Sequence, residues 1–220
     1  MKAKSININF FKTWTSDMAY ILGFLFADGS VTKNRRGGYY VTFYSMDKSL
    51  LCSIKKAMKS EHVVAQRNAV SGLVYRLQVG SKDMVSDLEK IGLKQTKTKR
   101  MKVPEIPSRY QGHFIRGFFD GDGNVWTGYI NKKRRMPTYI IQTSFTSASE
   151  VFLQDVCKLL KRSLGTTGSL SYIKNKNCHR LSYSIKDSLK LYDFMYNTGR
   201  TSLFLLRKER VFKKYMNTRL

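Results

Sequence analysis

The sequence predicts an α+β fold made of two similar halves, each with the element order αββαββα. The first observation is an apolar, helix-like run that ends in an acid at Asp28 and recurs in the run that ends at Asp122. Gly23 and Gly117 occupy the same place in the two runs, so glycine and acid repeat together after 94 residues. The second observation is that the same order of hairpins and helices follows each run. A tandem duplication with diverged halves accounts for both observations.

The composition indicates a polyanionic partner. The chain of 220 residues has 40 Lys and Arg against 15 Asp and Glu, a formal net charge of +25, and nucleic acid is the first expectation for such a balance. An anionic membrane is the rival, but the longest apolar run, 21–27, is too short to span a bilayer. We therefore expect nucleic acid, and no membrane, as the partner.

Two further features bear on the compartment. The first 17 residues are too polar for a signal peptide. The three cysteines are an odd number without paired spacing, which predicts free thiols in a reducing environment. We expect an intracellular protein, from the cytoplasm of a prokaryote or an organelle matrix.

The first half opens with the apolar helix, which should run to about Asp28 and end at Gly29. Its N-cap candidates are Thr15, Ser16 and Asp17. Small residues recur every fourth position along one face, at Ala19, Gly23 and Ala27. A face of this kind lets another backbone come very close.

The rest of the first half alternates hairpins and helices. Glycines at Gly37, Gly38 and Gly72 supply the positive φ that tight hairpins need. Apolar residues at helical spacing predict the helices. The segments are strands over 30–34 and 39–45, a helix over 47–60, strands over 63–70 and 73–79, and a helix over 81–91 that ends at Gly92.

A stiff linker precedes the repeat of this order, because two of the three prolines, Pro104 and Pro107, lie in it. We expect an N-terminal half over 1–103, a linker over 104–109 and a C-terminal half over 110–220. The second set of segments is a helix over 108–122, strands over 124–130 and 138–145, a helix over 150–164, strands over 169–174 and 180–185, and a helix over 187–196.

The two small halves would gain most by packing their small-residue helices against each other, which predicts a monomer with internal pseudo-twofold symmetry. The residues expected to set that distance are Gly23, Ala27, Gly117 and Gly121. Asp28 and Asp122 would then arrive at the same end of the interface. Two hard oxygen ligands with room for water and phosphate suit Mg²⁺, and such a site is equipped for phosphodiester hydrolysis. Alternatively, both acids simply end their helices before a glycine.

The runs Ile21 to Gly29 and Ile115 to Gly123 resemble the paired motif of LAGLIDADG homing endonucleases. The resemblance extends over nearly the whole chain through the repeated element order. It implies a DNA endonuclease whose motif helices form the interface between the halves and whose two four-stranded sheets make a saddle over a long duplex site. It also implies that Asp28 and Asp122 are the metal-binding acids, with the carbonyl groups of Ala27 and Gly121 as secondary ligands.

The chain departs from the family motif at one place. The earlier acid of the motif is kept as Asp120 but replaced by Phe26 in the first copy. That position is commonly structural in the family, so we expect activity to be retained.

The resemblance also implies a basic residue after the third helix of each half, near the scissile phosphates. Lys97 matches in the first half, and Lys208 matches in the second, with Arg200 as an alternative. Phosphate contacts or solvated charges would explain these residues equally well in a chain this basic.

Strand alternation predicts which side chains face the DNA. Arg and Gln fit guanine and adenine edges in the major groove, whereas basic residues at hairpin tips more simply hold phosphates. The expected reading residues are Tyr40, Thr42, Tyr44, Arg67, Arg76, Gln78, Gln142, Ser144, Arg180, Ser182 and Ser184. The expected hairpin-tip charges are Arg35, Arg36, Lys132, Lys133, Arg134, Lys174 and Lys176; any one of them could be a solvated charge.

These features together predict a monomeric, Mg²⁺-dependent homing endonuclease that cuts both strands of an asymmetric site. Two alternatives use the same scaffold. One is a DNA-binding regulator without catalysis, and the other is an RNA maturase that helps an intron to fold.

Overall fold

The computed structural model of the protein describes residues 4–69, 72–95, 101–197, 199 and 203–218. Two four-stranded antiparallel sheets carry the fold, with strand orders β1-β2-β4-β3 and β5-β6-β8-β7. The shared order of neighbours confirms the predicted repeat of element order. Within the described ranges, no helix combines the length and the apolar character that a bilayer span would need.

The first sheet and its helices follow the predicted order. The strands are β1 (Gly29–Lys33), β2 (Tyr39–Ser45), β3 (Val64–Ala69) and β4 (Gly72–Gly80). The helices are α1 (Ser16–Asp28), α2 (Lys48–Ala57) and α3 (Lys82–Ile91). Thr15 is the N-cap of α1, and Ser81 and Gly92 cap the two ends of α3. Local capping chemistry therefore fixed these boundaries.

The second set begins with α4 (Gln111–Asp122), which a short 3₁₀ turn over Ser108–Tyr110 precedes. The strands are β5 (Gly123–Ile130), β6 (Thr138–Ser147), β7 (Ser169–Ile173) and β8 (Cys178–Tyr183). The helices are α5 (Glu150–Leu164), α6 (Ile185–Tyr196) and α7 (Leu206–Asn217).

Several element ends differ from the sequence prediction; α2, for example, ends at Ala57 and not at Ser60. Three further details are informative. The strand predicted over 180–185 ends at Tyr183, because the carbonyl of Ser184 accepts the first hydrogen bond of α6 from the Ser188 N–H. Ser184 is therefore a helix cap and not a strand residue. Gly29 ends α1, as predicted, but with φ −113°, so it is an extended cap and not the left-handed cap that glycine often forms. A Cβ at Gly29 would come within 2.8 Å of the Leu25 Cα, and this close approach explains the glycine. The third difference is α7, which was not predicted.

Contacts divide the chain into two compact units that cross the sequence halves. The described part of the first unit comprises 4–69, 72–95, 104–121 and 203–204; that of the second comprises 101–103, 122–197, 199 and 205–218. The body of α4 therefore belongs to the same unit as α1 and the first sheet. The predicted halves, 1–103 and 110–220, concern the sequence repeat and remain a prediction.

Each unit has its own core. In the first, α1 is buried along nearly its whole length, from Met18 to Phe26, and α2 and α3 cover the first sheet. In the second, α5, α6 and α7 pack on the second sheet through apolar side chains such as Phe152, Leu191 and Phe212. All three cysteines are free, as predicted.

Candidate active site and candidate DNA-binding surfaces

Glycine allows α1 and α4 to meet backbone to backbone in the first unit. The carbonyl oxygen of Phe114 occupies the space that a Cβ on Gly23 would need, and the carbonyl oxygen of Tyr20 does the same at Gly117. Any other residue at either position would push the helices apart. The Phe26 and Phe114 rings, with centroids 5.6 Å apart, fill the space beside this contact.

A third glycine brings α4 close to the end of α1. A Cβ on Gly121 would collide with the Cβ of Ala27 and would lie 3.3 Å from Oδ2 of Asp28. The Asp28 carboxylate therefore lies beside the backbone of Gly121, and it is exposed to solvent. The absence of a side chain at Gly121 leaves room for this acid.

Asp122, the last residue of α4, is held through its own backbone in the second unit. Thr146 on β6 donates a 2.8 Å hydrogen bond from Oγ1 to the Asp122 carbonyl oxygen. Lys208 Nζ donates a 2.6 Å hydrogen bond to the carbonyl oxygen of the next residue, Gly123. The turn from helix to strand is thus fixed at two successive carbonyls, while Asp122 itself remains half-exposed.

The basic candidates differ in what the structure shows of them. Lys208 was expected in a loop, which is wrong because Leu206–Asn217 form α7; its proximity to a scissile phosphate stays a prediction. Its side chain is only 6% exposed, and it contacts the strand that follows Asp122. Lys97, the candidate of the first half, lies outside the described residues, and so does Arg200, the alternative to Lys208 in the second half.

A buried polar network lies next to the paired helices, and the sequence analysis missed it. The Tyr20 hydroxyl donates a 2.7 Å hydrogen bond to Oδ2 of Asp120. Arg116 donates from Nε to the Leu203 carbonyl oxygen at 3.1 Å, and its Nη2 lies 2.9 Å from Nδ1 of His113. Arginine can only donate, so this histidine nitrogen accepts. The clue to the network in the sequence was an arginine flanked by the apolar run of α4, with a histidine three residues before it.

On the first sheet, strand register brings most of the expected reading residues to one face. Residues directly opposite each other in antiparallel strands share a face. Tyr44 pairs with Arg76 and Thr42 with Gln78, while Arg67 pairs with Val74, further along the same face of β4. Tyr40 belongs to this face by alternation along β2.

Thr42 corrects the expectation of an open reading position. It is only 1% exposed, and its Oγ1 accepts a 3.3 Å hydrogen bond from Nε2 of Gln78. Thr42 lies on the central strand between two neighbours, and the longer glutamine covers it. Gln78 remains partly accessible and is the better reading candidate of the two.

The second sheet shows the same pattern. Ser144 pairs with Ser182, and Thr146 pairs with Arg180, which is exposed. Ser144 is only 8% exposed, because its short side chain lies in the middle of the sheet. Gln142 is exposed, and its partner across β5 is Trp126, which the sequence analysis did not select.

The hairpin-tip charges lie on the surface in both units. Arg35 and Arg36 occupy the turn between β1 and β2. The exposed tip residues of the second unit are Lys132, Lys133, Arg134, Lys174 and Lys176. An exposed cation at a loop tip is free to meet a phosphate without losing a buried contact.

Comparison with known proteins identifies the family. The family model described as "LAGLIDADG-like domain" matches residues 15–92 and 109–195, one match in each repeat. A search of curated protein sequences gave no match.

Solved structures share the fold at low sequence identity. The meganuclease I-SmaMI bound to uncleavable DNA is 14% identical, with a TM-score of 0.63 over 90% of this chain and 88% of that chain. The I-LtrWI LAGLIDADG homing endonuclease bound to target DNA is 16% identical, with a TM-score of 0.61 over 96% and 90%. I-DmoI in complex with DNA and Ca is 16% identical, with a TM-score of 0.59 over 95% and 99%, and I-DmoI was also solved with DNA and Mn.

The first family match begins at Thr15, the N-cap of α1, and the second begins at Arg109, in the turn that leads into α4. Each match therefore covers one motif helix and the sheet that follows it. The sequence motif, the repeated topology and the two matches agree. The chain belongs to the family of LAGLIDADG-like domains.

Proposed function

We propose that the protein is a homing endonuclease that cuts both strands of a long, asymmetric DNA site. The observation that carries the proposal is the position of two acidic residues at the C-terminal ends of the paired helices. Asp28 ends α1 and Asp122 ends α4, and Gly121 lets the Asp28 carboxylate lie beside the backbone of α4. Two accessible acids at equivalent helix ends, in a chain of net charge +25, suit chemistry on a phosphate backbone.

Duplex DNA is the proposed substrate. Each sheet presents a face with Arg and Gln side chains, which fit base edges in the major groove. The exposed hairpin-tip cations extend the basic surface beyond these faces, where phosphates would be held. The structural relatives I-SmaMI and I-LtrWI were both solved bound to DNA.

The proposed cofactor is Mg²⁺, for which other divalent cations could substitute. Magnesium prefers oxygen ligands and is usually bound by one or two carboxylates together with substrate phosphates. Asp28, which is exposed, and Asp122, which is half-exposed, would provide such carboxylates, and the carbonyl groups of Ala27 and Gly121 would provide further oxygens. When bound, a divalent cation supplies charge stabilisation for the leaving oxygen and activates water. I-DmoI was solved with DNA and Mn and with DNA and Ca.

The roles of the other residues follow from their positions. Thr146 and Lys208 fix the backbone that orients Asp122. Lys97 and Lys208 are the proposed basic residues of the catalytic site, and Lys208 acts through the backbone of Gly123. We propose a monomer that works in a reducing intracellular compartment.

Site-directed removal of charge tests the proposal. The substrate is a plasmid that carries the DNA flanking the gene, joined without the gene. We expect double-strand cleavage in Mg²⁺, and its loss in Asp28→Asn and in Asp122→Asn while the dissociation constant for the same DNA is kept. Asp83→Asn, an exposed acid on α3, is the matched control and should cleave normally.

The same assay separates the alternatives. Binding of duplex DNA without cleavage by the wild-type protein would favour the non-catalytic regulator. Preference for structured intron RNA over duplex DNA at equal salt would favour the maturase. Full cleavage by either Asn variant would overturn the roles given to the two acids.

A further inference from the structure

Trp126 is a large apolar side chain on the face of the second sheet that is proposed to read DNA. It lies on β5 and is 45% exposed. Its register partner is Gln142 on β6, so the indole and the amide stand side by side on one face. A single exposed aromatic residue is ordinary on a protein surface, so the inference rests on where the indole lies along the strand and on its neighbours.

Gly128, two residues further along the same strand, leaves the space that the indole ring occupies. A Cβ on Gly128 would lie 2.8 Å from Cη2 of Trp126, which means that the six-membered ring covers this glycine. Any side chain at position 128 would displace the ring. The indole therefore lies along the strand as an apolar surface and does not project as a wedge between bases.

Tyr129 on the same strand shows the contrasting case. It is 55% exposed but lies on the opposite face, where its ring packs on Tyr139 with centroids 5.0 Å apart. Its exposure is thus the open side of an aromatic cluster. Trp126 instead lies on the other face of the sheet, which it shares with Asn124, Gln142 and Ser144.

The side-by-side amide and apolar surface match one base pair in particular. In the major groove an A·T pair presents the adenine N6 and N7 atoms, which an amide side chain contacts in a bidentate manner, and the thymine methyl group, which apolar side chains contact. A G·C pair presents no methyl group on this edge. Gln142 offers the amide and Trp126 offers the apolar surface.

We propose that Trp126 and Gln142 form a recognition pair for an A·T base pair in the half of the target that the second sheet contacts. Trp126 contacts the thymine methyl group, and Gln142 contacts the adenine. The inference rests on the proposed function, since it requires that this face bind duplex DNA.

The first experiment asks whether DNA covers the indole. The chain has two tryptophans, and Trp14 stacks on Tyr110 in the first unit, so Trp14→Phe keeps a ring there and leaves Trp126 as the sole reporter. Acrylamide quenching of its fluorescence should decrease when duplex DNA is bound. Binding of DNA with unchanged quenching would overturn the recognition pair but not the proposed function.

The second experiment asks what the indole contacts. Wild-type protein selects its preferred sequence from randomised duplexes in EDTA, which prevents metal-dependent cleavage. Each thymine of that sequence is then replaced by deoxyuridine, which lacks only the methyl group. We expect one position at which the affinity falls about fourfold, the effect of one buried methyl group.

Variants identify the residue responsible. Trp126→Ala should bind the thymine and uracil duplexes equally at that position, whereas Tyr129→Ala should keep the difference. If wild-type protein shows no position sensitive to the methyl group, or if Trp126→Ala keeps the sensitivity, the recognition pair is wrong. If no duplex is enriched at all, the proposed function fails with it. The wild-type comparison holds even if a variant does not fold.

Discussion

The Tyr20 hydroxyl and the Asp120 carboxylate form a hydrogen bond of 2.7 Å that is buried between α1 and α4. The duplicated position on the other helix is Phe26, so the bond has no symmetric counterpart at that position. Tyr20→Phe removes the donor without changing the ring, and Asp120 then loses one of its hydrogen bonds. We expect the free energy of unfolding to fall by about 1–3 kcal/mol, the cost of removing one partner of a buried polar group, measured by denaturation in urea.

Tyr172→Phe is the matched control for this prediction. The Tyr172 hydroxyl donates a hydrogen bond of 2.9 Å to Oδ1 of Asn177 at the protein surface. Water can replace that partner, so we expect a change below about 0.5 kcal/mol. Equal losses in the two variants would show that the buried bond contributes nothing beyond a surface one.

Gly117→Ala should destabilise the protein, although the same change in an ordinary helix stabilises it by up to about 1 kcal/mol. The reason is that the new methyl group would meet the Tyr20 carbonyl oxygen. Such overpacking costs about 1–3 kcal/mol, and the helices must separate to relieve it. Thermal melting checks the sign. An increase in melting temperature would mean that α1 and α4 do not meet at this glycine.

The sequence predicted the elements that depend on local chemistry. Short-range rules predicted the two caps of α3, Ser81 and Gly92, correctly. They also predicted the positive φ of the first hairpin, where Gly37 has φ 82°. The repeat supplied the order of the elements, because each half served as a check on the other. The repeat could not predict α7, because the cation-rich sequence of this helix has no counterpart in the first repeat. Phe212 and Tyr215 of α7 are buried, but their burial depends on tertiary contacts that the local sequence does not show.

The site was predictable to a similar extent. Alternation along a strand gives the face of a side chain but not its depth, which is why Thr42 and Ser144 were expected to be open and are buried. The contact of Lys208 with Gly123 joins residues 85 positions apart, and local patterns say nothing about it. Arg116 contacts Leu203 across a similar separation of 87.

The hairpin tip between β5 and β6 should contribute to DNA binding through phosphates alone. Replacing Lys132, Lys133 and Arg134 by Gln should weaken binding to all duplexes by a similar factor. The slope of log K against log salt should become shallower by up to about 0.9 for each phosphate that the tip no longer neutralises. Titrations by fluorescence anisotropy at several salt concentrations would measure it.

A second triple variant controls for net charge. Lys158, Lys161 and Arg162 are exposed on α5, which packs against the core side of the second sheet. Replacing these three by Gln removes the same charge from a surface that does not carry the reading residues. We expect a smaller change in slope. If the two triple variants have equal slopes, the tip makes no local phosphate contacts.

Lys208→Met should lower stability as well as cleavage. The lysine is nearly buried, and its Nζ satisfies the Gly123 carbonyl oxygen next to Asp122. Methionine has a similar length but cannot donate, so we expect a loss of about 1–2 kcal/mol in the free energy of unfolding. Lys214→Met, an exposed lysine on the same helix, should have little effect. If Lys208→Met abolished cleavage at unchanged stability, the lysine would act on the phosphates directly, because the backbone contact would then not need it.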